Sequence, residues 1–169
     1  MNMRIKISFI LAVLLLAAGC REKKAEQFTA LPFPDIAVPG MIETPQDRAE
    51  YMAMRWFDLI TDPTRTYPCD TLLVSGVKKG EVEQNFANWV NVLSMIDYVP
   101  ASKSVRRLYD RSVKCELKDT SSNVFETFTD LVEKYLYDPN SPLRNEEYYL
   151  HYASRLSGYE GLSPEEKDR

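Results

Sequence analysis

The chain contains few of the residues from which most metal and catalytic sites are built. Its 169 residues include one histidine, three cysteines and six glycines. A structural metal site usually takes about four cysteine or histidine ligands, and a phosphate-binding loop needs closely spaced glycines. Because no two cysteines have the Cys-x-x-Cys spacing of a ligand pair and the glycines are too few and too scattered, we expect no metal, no cofactor and no catalytic residue, and no enzymatic activity from this chain alone.

Positive charge is also scarce. The 21 lysines and arginines are outnumbered by 25 aspartates and glutamates, which gives a net charge of −4 at pH 7. Since no basic cluster interrupts this acidic composition, we expect no nucleic-acid partner. The one histidine, His151, falls beside the apolar row of a predicted helix, so we interpret it as exposed rather than as a metal ligand. Asp58 and Asp62 are interpreted as helix-end charges rather than as an acid–base pair.

The chain has only one long apolar run, which extends from Ile7 to Ala18 and follows the basic residues Arg4 and Lys6. This run is shorter than the roughly 20 residues that a membrane-spanning helix needs. It has the length of a signal-peptide core and is followed by small residues. We therefore expect residues 1–19 to be a signal peptide. Two kinds fit this segment: a lipoprotein signal, which is cut before Cys20, and an ordinary secretory signal, which is cut after Ala18 or Gly19.

The four residues Ala-Ala-Gly-Cys that end at Cys20 resemble the lipobox of bacterial lipoproteins. The resemblance implies that Cys20 is lipidated and anchors the mature chain, although the usual leucine is replaced here by Ala17. Lipoproteins of Bacteroidota that reach the outside often carry acidic residues after the cysteine, whereas residues 21–24 read Arg-Glu-Lys-Lys. We therefore expect a lipid-anchored protein of the cell envelope, in the outer membrane and facing the periplasm.

Residues 20–43 are predicted to comprise the lipidated Cys20 and a proline-rich tether. Pro32, Pro34 and Pro39 favour an extended segment and prevent a helix. Phe28 and Phe33 are too apolar for a segment that floats in water. We therefore expect the later part of this segment to lie across the folded body.

Residues 44–169 are predicted to be one all-α domain, with apolar residues at helical spacing in five segments. Such segments are typical of an antiparallel bundle. The segments are Pro45 to about Ile60, Glu81 to about Tyr98, Ser102 to Leu117, Asn123 to about Tyr137, and Pro142 to Leu156. Thr71 to Val74 has no visible partner strand and is interpreted as a buried loop or a helical turn. A further helix is predicted to start at Ser163.

The connection between the last two long helices carries several local signals. Pro139 is expected to end the preceding helix at about Tyr137, because the residue before a proline avoids helical geometry. Asp138 is expected to bond turn amides. Ser141 suits the N-cap of the next helix, and Pro142 suits its first position.

Two cysteines, Cys69 and Cys115, remain after Cys20 is assigned to the lipid. They are a candidate disulfide, since an exported chain meets an oxidising compartment. A disulfide requires Cα atoms within about 7 Å, which the sequence does not establish. Cys115 falls on the apolar face of its helix, so we favour two free thiols and a packing role for Cys115.

Two blocks of sequence resemble a known family. Residues 48–51 and 56–58 look like its first helix, and residues 133–142 with 144–146 look like its most specific block. The family is the domain of unknown function 5106 of Bacteroidota lipoproteins, and the resemblance covers the chain after the tether. In many members this helical domain precedes a thioredoxin-like (redoxin) domain. The present chain has no Cys-x-x-Cys and no βαβ pattern, so thiol–disulfide chemistry is not assigned to it.

These observations lead to three hypotheses about function. The first is a non-enzymatic, lipid-anchored helical module that binds an envelope protein or positions a C-terminal thioredoxin-like domain. The second is the N-terminal part of a thiol–disulfide oxidoreductase whose catalytic domain is not in this chain. The third is a carbohydrate or peptide binder, which predicts an exposed aromatic patch; for the 10 Tyr, 7 Phe and 2 Trp, core packing is favoured.

Overall fold

The structure is a computed structural model that describes residues 28–68 and 70–159. The predicted signal peptide 1–19, the lipidation site Cys20, Cys69 and the helix start at Ser163 lie outside these residues. The predictions about them therefore stay predictions.

Five α-helices dominate the described chain, and the predicted mostly helical fold is confirmed. They are α1 (Pro45–Arg55), α2 (Lys79–Leu93), α3 (Tyr98–Lys118), α4 (Val124–Val132) and α5 (Glu146–Leu156). A π-helical turn, Glu133–Tyr137, continues α4. The longest helix, α3, packs against α1, α4 and α5 and is the central element of the bundle. Within the described residues, no helix is both long enough and apolar enough to cross a membrane.

A small β-hairpin precedes α2, so the interpretation of Thr71 to Val74 as a loop or helical turn is wrong. Strand β1 (Leu73–Val74) pairs antiparallel with β2 (Val77–Lys78). The two turn residues, Ser75 and Gly76, have φ angles of 48° and 79°, as a tight hairpin turn requires. The second strand was missed because it is two residues long and runs directly into a helix.

The ends of the first two helices differ from the prediction. Helix α1 ends at Arg55, and residues 56–61 form successive turns instead of a continued helix. Helix α2 ends at Leu93, and Pro100 lies in the first turn of α3 instead of ending α2. A proline is tolerated there because the first amides of a helix have no intrahelical acceptor.

The connection before α5 is partly as predicted. The helical segment ends at Tyr137, and Asp138 Oδ1 accepts a hydrogen bond from the Asn140 amide at 2.8 Å. The N-cap of α5, however, is Asn145, whose side chain accepts from the Tyr148 amide at 3.0 Å. Ser141 instead donates its hydroxyl to the Tyr135 carbonyl at 2.6 Å. The prediction of α5 from Pro142 is therefore wrong by one turn.

An aromatic cluster fills the centre of the bundle. The ring centroid of Phe57 lies 4.8 Å from that of Phe128 and 5.5 Å from that of Trp89. Trp89 is 1% exposed, and its indole N–H donates to the Ala53 carbonyl at 2.9 Å. The interpretation of Phe86, Trp89 and Phe128 as core residues is confirmed.

Residues 28–43, which we call the strip, lie across this body as expected. The Leu31 amide donates to the Gly76 carbonyl at 2.8 Å, next to a parallel bridge with Val77. The Phe33 amide donates to Glu81 Oε1 at 2.8 Å. The strip is therefore attached to the hairpin and to the start of α2.

Candidate functional site

Four charged side chains meet where the turns after α1 contact α3, and we call them the arginine–aspartate cluster: Arg55, Asp58, Arg107 and Arg111. Arg107 binds both carboxylate oxygens of Asp58, at 2.8 and 2.9 Å from its Nη2. Arg55 Nη1 lies 3.0 Å from Asp58 Oδ2, and Arg111 Nε lies 3.4 Å from Asp58 Oδ1. One carboxylate is thus shared by three guanidinium groups.

Arg111 also holds the main chain of the turns. Its Nε donates to Thr61 Oγ1 at 2.8 Å, and its Nη2 donates to the Asp58 carbonyl oxygen at 2.5 Å. Thr61 is fully buried. The cluster therefore connects residues 58–61 to α3 through both side-chain and main-chain atoms.

Asp62, named with Asp58 in the sequence analysis, does not join an acid–base pair. Its carboxylate accepts from the Thr64 amide at 2.9 Å and from the Thr64 hydroxyl at 2.7 Å. These bonds hold the pKa of Asp62 below its usual value. A carboxylate that is bonded in this way stays ionised and caps a turn, which agrees with the helix-end interpretation.

An open groove of about 240 Å³ lies between the strip and α1 with its following turn. Its lining includes the strip residues 34–37 and, from the helical side, Tyr51, Arg55, Trp56 and Leu59. The Arg55 guanidinium lies 5.8 Å from the centre of the Tyr51 ring, within range of a cation–π interaction. Leu59 is 44% exposed, so this groove combines aromatic, aliphatic and charged walls.

The indole nitrogen of Trp56 is a buried donor without an acceptor among the described residues. Unpaired buried donors are uncommon, because leaving one unsatisfied costs about 1–3 kcal/mol. The other tryptophan, Trp89, has its partner. Trp56 is the tryptophan that is only partly buried, and it lines the groove.

A smaller depression of about 70 Å³ lies beside the C-terminal half of α3. Cys115 is buried in its wall, and Pro68 and Asp70, the neighbours of Cys69 in the chain, line the same depression. Burial raises the pKa of the Cys115 thiol, which disfavours the reactive thiolate. Cys115 forms no disulfide with any residue that the structure describes. Because Cys69 lies outside those residues, the redox state of the pair stays a prediction.

His151 is partly buried, so its interpretation as an exposed surface residue is wrong. Arg106 Nη1 donates to its Nδ1 at 3.2 Å, which leaves Nε2 to carry the proton and donate to the Tyr98 hydroxyl at 2.8 Å. Burial, and then the Arg106 charge, lower the pKa of His151 below its usual value. Both ring nitrogens are occupied, and no group of potential metal ligands occurs in residues 28–68 and 70–159.

The sequence analysis missed both the cluster and the groove. Arg107 and Arg111 are four residues apart on α3, which places them on one helix face. Their partner Asp58 is 49 residues from Arg107, and nothing in the local sequence connects the two. The groove also depends on where the strip lies, which local patterns do not specify.

Comparison with known proteins gives a consistent picture. A family model described as a domain of unknown function (DUF5106) matches residues 18–169. The chain is also similar to a thioredoxin-like protein from Bacteroides caccae whose crystal structure is known, with 29% identity and a TM-score of 0.65. The alignment covers 83% of this chain and 46% of that one, so this chain spans less than half of the matched protein. A comparison with curated proteins found no match.

Proposed function

The chain belongs to the DUF5106 family, and on that basis we propose that it is a lipid-anchored helical module of the cell envelope that binds or positions a protein partner. The observation that carries this proposal is the alignment to a thioredoxin-like protein. This alignment covers 46% of the length of the thioredoxin-like protein and leaves the rest of that protein unmatched. This supports a helical unit that accompanies a redox domain, either in one polypeptide or as a separate envelope protein.

The chemistry of the described residues supports binding over catalysis. Asp58 is occupied by arginines, His151 by Tyr98 and Arg106, and the Cys115 thiol is buried with a raised pKa. Each of these groups has a structural role that leaves it poorly suited to attack or protonate a substrate. We therefore expect the chain alone to lack thiol–disulfide activity.

An insulin-reduction assay with dithiothreitol tests this expectation. The chain from residue 20 onward, with Cys20→Ser to prevent lipidation, should give the same rate as dithiothreitol alone. Thioredoxin provides the positive control. A faster rate that disappears in Cys69→Ser or Cys115→Ser variants would contradict the binding role and favour an oxidoreductase.

The anchor at Cys20 is tested by cell fractionation and detergent phase partition. The wild-type chain is expected in the membrane and detergent fractions, and Cys20→Ala is expected to move to the soluble fraction. Cys69→Ala is the matched control, because it removes a cysteine outside the lipobox. Stable anchoring needs more than one acyl chain, as in the lipoprotein family; membrane association of Cys20→Ala like that of the wild type would rule the anchor out.

The second candidate function is the N-terminal part of a thiol–disulfide oxidoreductase lipoprotein, which the same 46% coverage favours. An antibody against the helical domain distinguishes a separate module from a module that is joined to a catalytic domain, by the size of the cellular protein. A band slightly below 19.5 kDa, the mass of the chain before the predicted signal peptide is removed, supports a separate module. A band of about twice that mass supports a larger protein that contains a catalytic domain.

A further inference from the structure

The side of α3 that points away from the bundle concentrates positive charge. The opposite side of this helix is buried, from Ala101 to Cys115. The residues between the buried positions are exposed or half-buried, and at about 100° per residue they share one sector of the helix. We call the cations of this sector the basic face: Lys103, Arg106, Arg107, Arg111, Lys114 and Lys118. They are spread over 16 residues of sequence and form no continuous run, so only the helix brings them together.

The three lysines of the basic face are free, whereas its three arginines are occupied. The arginines are bound to Asp58 or to His151. Lys103, Lys114 and Lys118 are exposed, and none of them forms an ion pair within residues 28–68 and 70–159. Their ammonium groups are therefore available to a ligand that carries negative charge.

This region stays positive after the carboxylates that contact or flank it are counted. The basic face, together with Arg55 and Arg155, holds eight cations. The carboxylates that pair with these cations, act on them or on His151, or stand at the ends of α3 number six: Asp58, Asp62, Asp97, Asp110, Asp119 and Glu147. The other residues in 28–159 hold six cations and thirteen carboxylates. The region thus has two positive charges in excess, and the rest of the body has seven negative charges in excess.

Two exposed apolar side chains lie in the same sector of α3. Val99 is 58% exposed and Leu117 is 71% exposed. They are 18 positions apart, which is about five helical turns, so both point in the direction of the basic face. An anionic lipid surface attracts lysines and accepts apolar side chains at the level of its headgroups. This combination of side chains suits a lipid surface.

The proposed lipid anchor reaches the body beside one end of the basic face. The strip binds the hairpin turn, where the Leu31 amide donates to the Gly76 carbonyl. The neighbouring turn residue, Ser75, lines the same depression as Lys118. Residues 21–24, which precede the strip, add three cations and one carboxylate. The membrane that would hold Cys20 is therefore the extended surface that the tether brings to this side of the body.

We propose that the basic face of α3 rests on the anionic phospholipid headgroups of the membrane to which the chain is anchored. Its three free lysines bind headgroup phosphates, and Val99 and Leu117 enter the headgroup layer. The proposal rests on the lipid anchor proposed above and adds the orientation of the body to it. Because salt screens such a contact, the contact orients the anchored chain and does not replace the anchor.

Sedimentation with lipid vesicles tests the contact without the anchor. The vesicles consist of phosphatidylcholine alone, or of phosphatidylcholine with about 40% phosphatidylglycerol, and the protein is the chain from residue 20 with Cys20→Ser. At about 20 mM salt we expect the chain to bind the anionic vesicles and not the neutral ones, and at about 300 mM salt we expect this binding to be lost. If the anionic vesicles bind no protein at the lower salt concentration, the proposal is wrong.

Replacing the three free lysines together tests the basic face directly. An exposed lysine near an anionic surface strengthens binding about fivefold, so the triple variant with Lys103→Gln, Lys114→Gln and Lys118→Gln should bind the anionic vesicles about a hundredfold more weakly. Circular dichroism shows that the variant is folded. Binding by this variant as tight as that of the wild type would contradict the proposal, and would point instead to residues 21–24.

A second triple variant is the matched control, because it removes the same charge from the other side of the bundle. It replaces Lys78, Lys79 and Lys134 by Gln. Lys134 follows α4, and Lys79 acts on Asp130 of α4, which packs against the buried side of α3. We expect this control to weaken binding at most about threefold. Equal losses in the two triple variants would mean that only net charge matters, and would exclude a specific face.

A gadolinium-chelating lipid in the anionic vesicles identifies the side of the body that meets the surface. The amide NMR signals of residues 103, 114 and 118 in the ¹⁵N-labelled chain should lose intensity first, and those of α4 last. Strongest losses in α2 or α4 would be incompatible with the proposed orientation.

Poly-L-glutamate represents the competing kind of partner, an acidic protein. If it binds in a way that depends on the three lysines while the anionic vesicles do not bind, the basic face takes an acidic protein and the lipid proposal is wrong. The vesicle assay uses a chain without acyl groups, so its failure leaves the Cys20 anchor untouched. Cell fractionation of Cys20→Ala in about 300 mM salt, which screens the lysines, tests the anchor alone.

Discussion

Replacing Asp58 by Asn removes the only carboxylate that the arginine–aspartate cluster shares, while it keeps the size of the side chain. Exposed ion pairs contribute about 0–1 kcal/mol, and breaking a fully buried pair costs about 3–5 kcal/mol. The side chains of Asp58 and Arg111 are each 23% exposed, and that of Arg107 is 31% exposed. The cluster lies between these limits, so we expect Asp58→Asn to lower the free energy of unfolding by about 2 kcal/mol.

Urea unfolding at pH 7, followed by circular dichroism, measures this change from the midpoint and slope. The matched control is Asp110→Asn, which breaks an ion pair to Arg155 with side chains 45% and 41% exposed. We expect the control to cost about 0.5 kcal/mol or less. For a domain of this size, the expected difference corresponds to roughly 6 °C in melting temperature.

A double-mutant cycle with Arg107→Gln tests whether the loss comes from the pair itself. The coupling energy between Asp58 and Arg107 should be about 1 kcal/mol or more, because the contact is bidentate. A coupling energy near zero, or equal losses in Asp58→Asn and Asp110→Asn, would refute the reasoning. The cluster would then be a set of contacts without consequence for stability.

Three further predictions concern single side chains. Trp56→Phe removes an indole N–H that has no acceptor in the described chain, whereas Trp89→Phe breaks the hydrogen bond to the Ala53 carbonyl. Chemical denaturation should therefore show that Trp89→Phe lowers the free energy of unfolding by about 1 kcal/mol or more beyond the loss in Trp56→Phe. Equal losses in the two variants would contradict this. The pKa of His151 is lowered in the folded state, so between that pKa and about 6.5 the unfolded chain binds more protons than the folded chain. The free energy of unfolding should therefore fall as the pH drops below about 6.5. His151→Gln should flatten this pH dependence, and an unchanged slope would exclude His151 as its source. For Cys69 and Cys115, intact-mass measurement of the unfolded, Cys20-free chain should show two alkyl labels without reductant; labelling only after reduction would demonstrate a disulfide.

Signals that act within one helical turn could be predicted from the sequence. The Thr44 side chain accepts from the Asp47 amide at 3.1 Å and caps the start of α1, close to the predicted start at Pro45. The helix before Pro139 ends at Tyr137 for the expected local reason. In both cases the residues that determine the boundary are a few positions apart, so no tertiary contact has to be known.

Other features depend on tertiary contacts. Helix α1 was predicted to reach Ile60 because Trp56 and Leu59 continue its spacing, but it ends at Arg55. The carbonyl of Asp58, which in a continued helix would accept a bond from residue 62, instead accepts one from Arg111 on α3. A residue 53 positions away thus replaces a local partner, and no sequence window shows it. The groove depends on the same turn and on the position of the strip.

The attachment of the strip at Leu31 limits how far the body can stand from a membrane. With Cys20 as the proposed anchor, only the peptide units between residues 20 and 31 are available as a spacer. An extended chain spans at most about 3.3–3.6 Å per residue, so this spacer allows roughly 40 Å at most. The helical body would therefore work within a thin layer above the lipid surface, and protein partners would have to fit into that layer.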